Sequence, residues 1–230
     1  MKKILKRIGL GFLALIVLLG AGFYVYTLDY SKAQDVALAA YAQSTQQSSS
    51  IHAFLSEGAT VGIIFYPGGK VEDKAYSKLC LELSEQGISV FLVKMPFNLA
   101  VFDIDAANRV RKANPQITSW FMAGHSLGGA MAYSHYSSHP EEYEGIILLA
   151  AYPLDHKDLP YLILKGSNDT VLDASKLEGF DYVSIQGGNH AQFGNYGLQK
   201  GDGTATITPY EQRAFTIEAI RSFILNTLNP

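Results

Sequence analysis

One cysteine occurs among the 230 residues of this chain. The lone thiol, Cys80, excludes an internal disulfide framework and a cysteine-based structural zinc site. It sits in a helix-like segment and reads as a buried structural thiol. Charge is sparse and nearly balanced, 18 Lys and Arg against 21 Asp and Glu, with a pI near 6.1. No basic stripe occurs beyond the N-terminus, which argues against nucleic acid as a partner. There is no internal repeat. No cysteine follows the one long apolar run, which excludes lipoprotein processing.

Apolar residues are plentiful, and they come in two distributions. The first is concentrated near the N-terminus. A basic cluster, Met1-Lys2-Lys3 and Lys6-Arg7, precedes Ile8 to Leu28, an uncharged stretch of about 21 residues. As a helix it spans roughly 30 Å, enough to cross a bilayer. The cluster stays cytoplasmic, so the rest of the chain faces outward. A cleaved signal peptide is the alternative, with Gly20-Ala21-Gly22 as a weak site. The apolar run continues through Phe23-Tyr24-Val25-Tyr26, which favours an uncleaved anchor. Either way the remainder lies outside the cytoplasm. Residues 1–30 are thus expected to be anchor, 31–50 a juxtamembrane helix and polar loop, and 51–230 one folded domain.

The second distribution is periodic. Lys32 to Ala42 reads as a short helix with Val36, Leu38, Ala39 and Tyr41 near one face. Ser44 to Ser50 reads as an exposed polar loop, and Ile51 to Leu55 as an edge strand. Strands are then predicted over Val61–Tyr66, Ser89–Lys94, Ser119–Ala123, Gly145–Ala151, Tyr161–Lys165 and Tyr182–Gln186. Helices are predicted over Glu72–Gln86, Ile104–Ala113, a segment reaching about Ser138, and Pro209–Leu228. Alternating strand and helix imply an α/β fold, a doubly wound, mostly parallel sheet covered on both faces.

The chemistry is carried by Gly124-His125-Ser126-Leu127-Gly128. This G-x-S-x-G follows a predicted strand and precedes a segment rich in small residues, the setting of a nucleophile elbow. Gly124 and Gly128 are needed because a Cβ on either side would crowd the turn. Later strands supply an acid and then a histidine, in the order Ser, acid, His. Tyr161 to Lys165 runs into Gly166-Ser167-Asn168-Asp169, which makes Asp169 the acid. Asp173 is the reserve, with Asp155 and Asp158 behind it. The last strand runs into Gly187-Gly188-Asn189-His190, which makes His190 the base. An oxyanion hole needs two donors. The N–H of Leu127 is one, and the loop Pro67-Gly68-Gly69-Lys70 offers the other, with Gly69 preferred over Gly68 and Lys70.

Other histidines read as bland. His135 and His139, four apart, read as a solvated helix end rather than metal ligands. His125 reads as packing beside the elbow, and His52 and His156 as surface residues. Asp202, in a Gly-Asp-Gly turn, reads as shaping that turn, with orientation of His190 as the alternative.

Together these residues resemble the α/β-hydrolase superfamily over about residues 51–230, and within it the compact branch of dienelactone-hydrolase-like enzymes. The resemblance rests on Phe65-Tyr66-Pro67-Gly68-Gly69-Lys70, Gly124 to Ala130, Ser167-Asn168-Asp169 and Gly187 to Gly194. The run Tyr196 to Gly203 is similar to membrane-anchored bacterial members. The resemblance implies hydrolysis of carboxylic esters or related acyl groups by a serine acyl-enzyme, with no metal and no cofactor. Dienelactone hydrolases proper carry cysteine at the elbow, and Ser126 departs from that. The interval Tyr152 to Pro160, about nine residues, leaves no room for a cap domain, so an open site for a small-molecule substrate is expected. Its candidate walls are Phe97, Asn98, Tyr152, Phe193 and Tyr196. An acyltransferase with the same triad, or a non-catalytic binding module, are the alternatives. Nothing in the sequence fixes an oligomeric state.

Overall fold

The computed structural model describes residues 2–155 and 159–229. The chain divides after Tyr30 into two compact units. The first is one helix, α1 (Lys2–Leu28), whose stretch Lys6–Leu28 is long and apolar enough to cross a membrane.

The second unit begins at Ser31 and is built on an eight-stranded sheet in the order β1-β2-β4-β3-β5-β6-β7-β8. Its strands are β1 (Thr45–Ser48), β2 (Ile51–Phe54), β3 (Val61–Tyr66), β4 (Ser89–Val93), β5 (Ser119–His125), β6 (Gly145–Leu149), β7 (Tyr161–Gly166) and β8 (Val183–Ile185). β1 and β2 are antiparallel to their neighbours, and β4 through β8 with β3 run parallel. The central strands are continuous apolar runs because both faces are covered. Along β5, Phe121 and Ala123 join one core cluster while Trp120 and Met122 join the other, as the two-residue period of a strand requires. On the Met122 face lie α4 (Ala106–Ala113) and α5 (Leu127–Ser138). On the Phe121 face lie α3 (Ser77–Ser84) and α6 (Pro209–Leu228). Register sets Tyr66 opposite Gly124, Gly124 opposite Leu148 and Leu148 opposite Ile163. The loops that follow these strands therefore emerge at one edge of the sheet, where such folds place their sites.

Several elements differ from the sequence reading. The first helix of this unit is shorter, α2 (Asp35–Tyr41), and buries Ala37 and Ala40 while Val36 and Leu38 are exposed. The small alanines allow α2 to approach its neighbours closely. Residues 45–48 are not loop but the edge strand β1, and β2 lies inside it with all four residues buried. An antiparallel edge strand needs no apolar face, which is why Thr-Gln-Gln-Ser carries no strand signal. The predicted helix from Glu72 splits into a 3-10 turn, Asp73–Tyr76, and α3. His52 is buried, with Nε2 2.6 Å from Tyr41 Oη. His135 is buried too: its Nδ1 lies 2.9 Å from Asp105 Oδ1, its Nε2 2.9 Å from Tyr143 Oη, and its ring stacks on His139. It joins α5 to the segments around it and is not a solvated helix end. His156 and Asp158 lie outside the described residues.

Candidate active site

Ser126 stands between β5 and α5 with φ +52° and ψ −125°, a conformation that L-residues rarely adopt. Its backbone is held in that state, because its N–H donates to Leu149 O at 3.0 Å and its carbonyl accepts from Ala130 N–H at 3.1 Å. The flanking glycines leave no room for side chains. A Cβ on Gly124 would stand 2.6 Å from the Gly128 carbonyl carbon, and one on Gly128 would overlap Pro67 O.

Leu127 is the first residue of α5, so helix geometry gives its N–H no acceptor. The Pro67–Lys70 loop lies against it: a Cβ on Gly69 would be 2.8 Å from Leu127 Cδ2. The N–H of Gly68 donates to Tyr76 Oη at 3.1 Å, and that of Lys70 to Asn98 O at 2.8 Å. Among the described residues the Gly69 N–H has no such partner. Of the three candidates on this loop, Gly69 therefore keeps the donor available.

Asp169, just beyond β7, is buried and uses both oxygens. Oδ1 accepts from the N–H groups of Val171 and Leu172, each at 2.9 Å, and Oδ2 accepts from His190 Nδ1 at 3.0 Å. Burial by itself raises the carboxyl pKa, but the His190 hydrogen bond and charge and the two backbone donors outweigh it and hold the group below its ordinary value. His190 is itself buried. With Nδ1–H directed at Asp169, its Nε2 is buried without a hydrogen-bond partner among the described residues.

The His190 loop is fastened from behind. Asp202 accepts from the N–H of His190 at 3.3 Å and of Ala191 at 2.9 Å, besides its own turn's Gly203 N–H at 2.8 Å. Its carboxylate thus shapes the turn and holds the histidine backbone as well. Gln212 of α6 bonds both the N–H and the C=O of Asn189, at 3.0 and 2.8 Å.

Ser126, Leu127 and His190 line one pocket of about 320 Å3, open to solvent. Ala130, Ala150, Ala151 and Tyr152 form a largely apolar wall, and Val171, Leu172 and Asp173 complete it. Of the five walls expected from sequence, Tyr152 alone lines this pocket. Phe97 is half exposed on a turn, packed edge-on against Phe102, and the Asn98 carbonyl holds Lys70. Phe193 and Tyr196 point into the core, with ring centroids 5.8 and 6.4 Å from that of His125. Asp173 sits at the rim, where its carboxylate accepts from Ser175 N–H and Oγ–H rather than from His190. Asp155 accepts from Tyr133 Oη at 2.5 Å. The wall residues missed in the sequence carried a signal nonetheless. Ala130 is one helical turn beyond Ser126, Val171 and Leu172 follow Asp169 closely, and Ala150-Ala151 precede Tyr152. No group of three side chains suited to a metal ion occurs among the described residues.

A family profile described as "Alpha/beta hydrolase family" matches residues 62–214, so the chain belongs to the alpha/beta hydrolase family, and that membership supports a hydrolase. No curated protein matches the chain. Among solved structures it is similar to Est1E from Butyrivibrio proteoclasticus, with TM-score 0.59 and 14% identity over 81% of this chain and 98% of that one. It is also similar to a "predicted CIB-like hydrolase" from Thermoplasma acidophilum, with TM-score 0.57 and 17% identity over 75% and 91% of the two chains. At these identities the likeness shows the fold alone. Est1E is also known with ferulic acid bound, a structure matched at TM-score 0.57 and 13% identity over 76% and 95% of the chains.

Proposed function

We propose that this chain is a membrane-anchored serine hydrolase of carboxylic esters or related acyl groups, with its hydrolase unit outside the cytoplasm. The observation that carries the reading is His190: one ring nitrogen is held by a buried carboxylate, and the other has no partner among the described residues, in a residue that shares a pocket with Ser126. Ser126 Oγ attacks the acyl carbon and its proton passes to His190 Nε2, while Asp169 stabilises the imidazolium. The N–H groups of Leu127 and Gly69 receive the developing oxyanion. Collapse of the tetrahedral species breaks the acyl–oxygen bond, and His190 returns the proton to the leaving alcohol. Water then repeats the sequence on the acyl-enzyme and frees the acid. The open pocket supports hydrolysis over transfer to another acceptor, because transfer needs water kept out. A serine at position 126 supports a reading beside, rather than among, the cysteine-bearing dienelactone hydrolases. The bilayer-length helix α1 behind a basic cluster supports the anchor and its orientation.

The test is a fluorophosphonate probe on the full chain in detergent, read by intact mass beside Ser126→Ala. One adduct is expected on the wild type and none on the variant. A folded wild type that stays unmodified, or a variant that keeps turning over esters, overturns the assignment. Short acyl esters and feruloyl esters form the substrate panel, the latter because of the ligand seen in Est1E.

A further inference from the structure

Behind the elbow lies a second polar chain that the reaction itself does not use. Gly68 N–H donates to Tyr76 Oη at 3.1 Å, Tyr76 Oη is 2.8 Å from His125 Nδ1, and His125 Nε2 is 3.1 Å from the carbonyl oxygen of His190. Tyr76 and His125 are both fully buried. The directions are forced by what each atom can do. A carbonyl only accepts, so His125 Nε2 carries the hydrogen and Nδ1 a lone pair. The Tyr76 hydroxyl fills that lone pair, and its own oxygen accepts from Gly68. A neutral His125 also gives the buried Tyr76 hydroxyl hydrogen an acceptor, which a charged ring would not, and burial followed by the nearby His190 holds its pKa well below the ordinary imidazole value.

This chain touches three parts that must be set against one another. Gly68 adjoins Gly69, the proposed oxyanion donor. His125 adjoins Ser126. The accepting carbonyl belongs to the proposed base. We propose that Tyr76 and His125 are positioning residues, a relay that fixes the Gly69 loop and the His190 backbone to the nucleophile elbow. The proposal rests on the serine-hydrolase reading above. It assigns neither side chain to the reacting atoms. Tyr76 is held for this role by its neighbours, its ring packing 5.1 Å from Phe65 and 6.4 Å from Tyr196 between centroids.

Tyr76→Phe removes one oxygen and keeps the ring. His125→Asn keeps an acceptor for Tyr76 and loses the donor to His190. The measurement is kcat and KM on a short p-nitrophenyl ester, with kcat expressed per serine titrated by fluorophosphonate, so that a smaller folded fraction does not count as a slower enzyme. Each variant is expected to lose about 10- to 100-fold in kcat with KM changed less than about twofold, since the interaction acts on the transition state. The double variant is expected to be no slower than the slower single one, because both act through one chain of bonds. Wild-type kcat per titrated serine in either folded variant, or losses that multiply in the double, overturns the relay. If Tyr76→Phe does not fold, His125→Asn carries the same test. A wild type that takes no label overturns the serine reading and the relay with it, whereas a labelled wild type beside variants of equal kcat overturns the relay alone.

Discussion

Asp169 receives three hydrogen bonds on two oxygens, and the one from His190 is the one that bears on the proposed reaction. Asp169→Asn can keep the two backbone donors on its amide oxygen, but its NH2 opposes the Nδ1–H and favours the wrong imidazole tautomer. On the proposed role the expected loss in kcat is about 10⁴-fold by analogy with known triad acids, measured on the same short ester. Asp173→Asn, at the rim, is expected to stay within about threefold of wild type, because a solvent-exposed change away from the triad removes little transition-state stabilisation. Acid stability reports on the same carboxylate. Its folded pKa lies below its unfolded one, so its contribution is complete above about pH 4 and is lost as pH falls through the folded value. The gap in melting temperature between wild type and Asp169→Asn should therefore narrow on acidification; a gap that widens contradicts the depressed value. The positions of Ser126, Asp169 and His190 beyond strand ends were legible in sequence because each follows an apolar run, and the roles proposed for them come from chain order. The partners of the other buried histidines were not. The partners of His125, His135 and His52 lie at Tyr76, Asp105, Tyr143 and Tyr41, and no local pattern announces a hydrogen bond to a distant residue.

At the scale of elements, α6 shows how a helix far from the chemistry holds it. Thr208 and Glu211 form a reciprocal capping box, and Pro209 opens the first turn. Arg213 of the same helix pairs with Glu82 of α3, its Nε 2.6 Å from Oε2, on the same face of the sheet. Thr208→Ala is expected to cost about 1 kcal/mol of stability in urea denaturation. Activity per folded molecule should stay unchanged, because Gln212, which bonds the peptide of Asn189, lies beyond the cap. A drop in kcat without a drop in stability would mean that the cap acts on the His190 loop directly. The limits of α6 were readable to the residue, since Thr-Pro and a closing Asn-Pro punctuate it. β1 was not readable, because a polar edge strand is defined by the partner it pairs with. The aromatic walls failed for a related reason: composition shows that Phe193 and Tyr196 are large, but the fold of the loop decides which side they face.

For the whole molecule, the apolar α1 and the hydrolase unit predict a distinct behaviour in fractionation. The full chain should sediment with membranes, resist alkaline carbonate, and be released by detergent at its uncleaved mass. A soluble product shortened at its N-terminus would favour signal cleavage. Both outcomes were foreseeable from the sequence, because bilayer length and charge asymmetry are matters of composition rather than of packing.

Ser31 bears on that fractionation. It bridges Val71 in parallel, its N–H bonded to Lys70 O at 2.8 Å and its carbonyl to Glu72 N–H at 2.9 Å. The segment that enters the hydrolase unit is thus stitched to the loop carrying Gly69. A protease that shears the chain ahead of Ser31 sheds a domain with its Gly69 loop still sewn in place. A cut a few residues later releases a domain of nearly equal size whose loop has lost that seam, so on the proposed serine-hydrolase reading the two fragments are expected to differ in esterase activity though scarcely in mass.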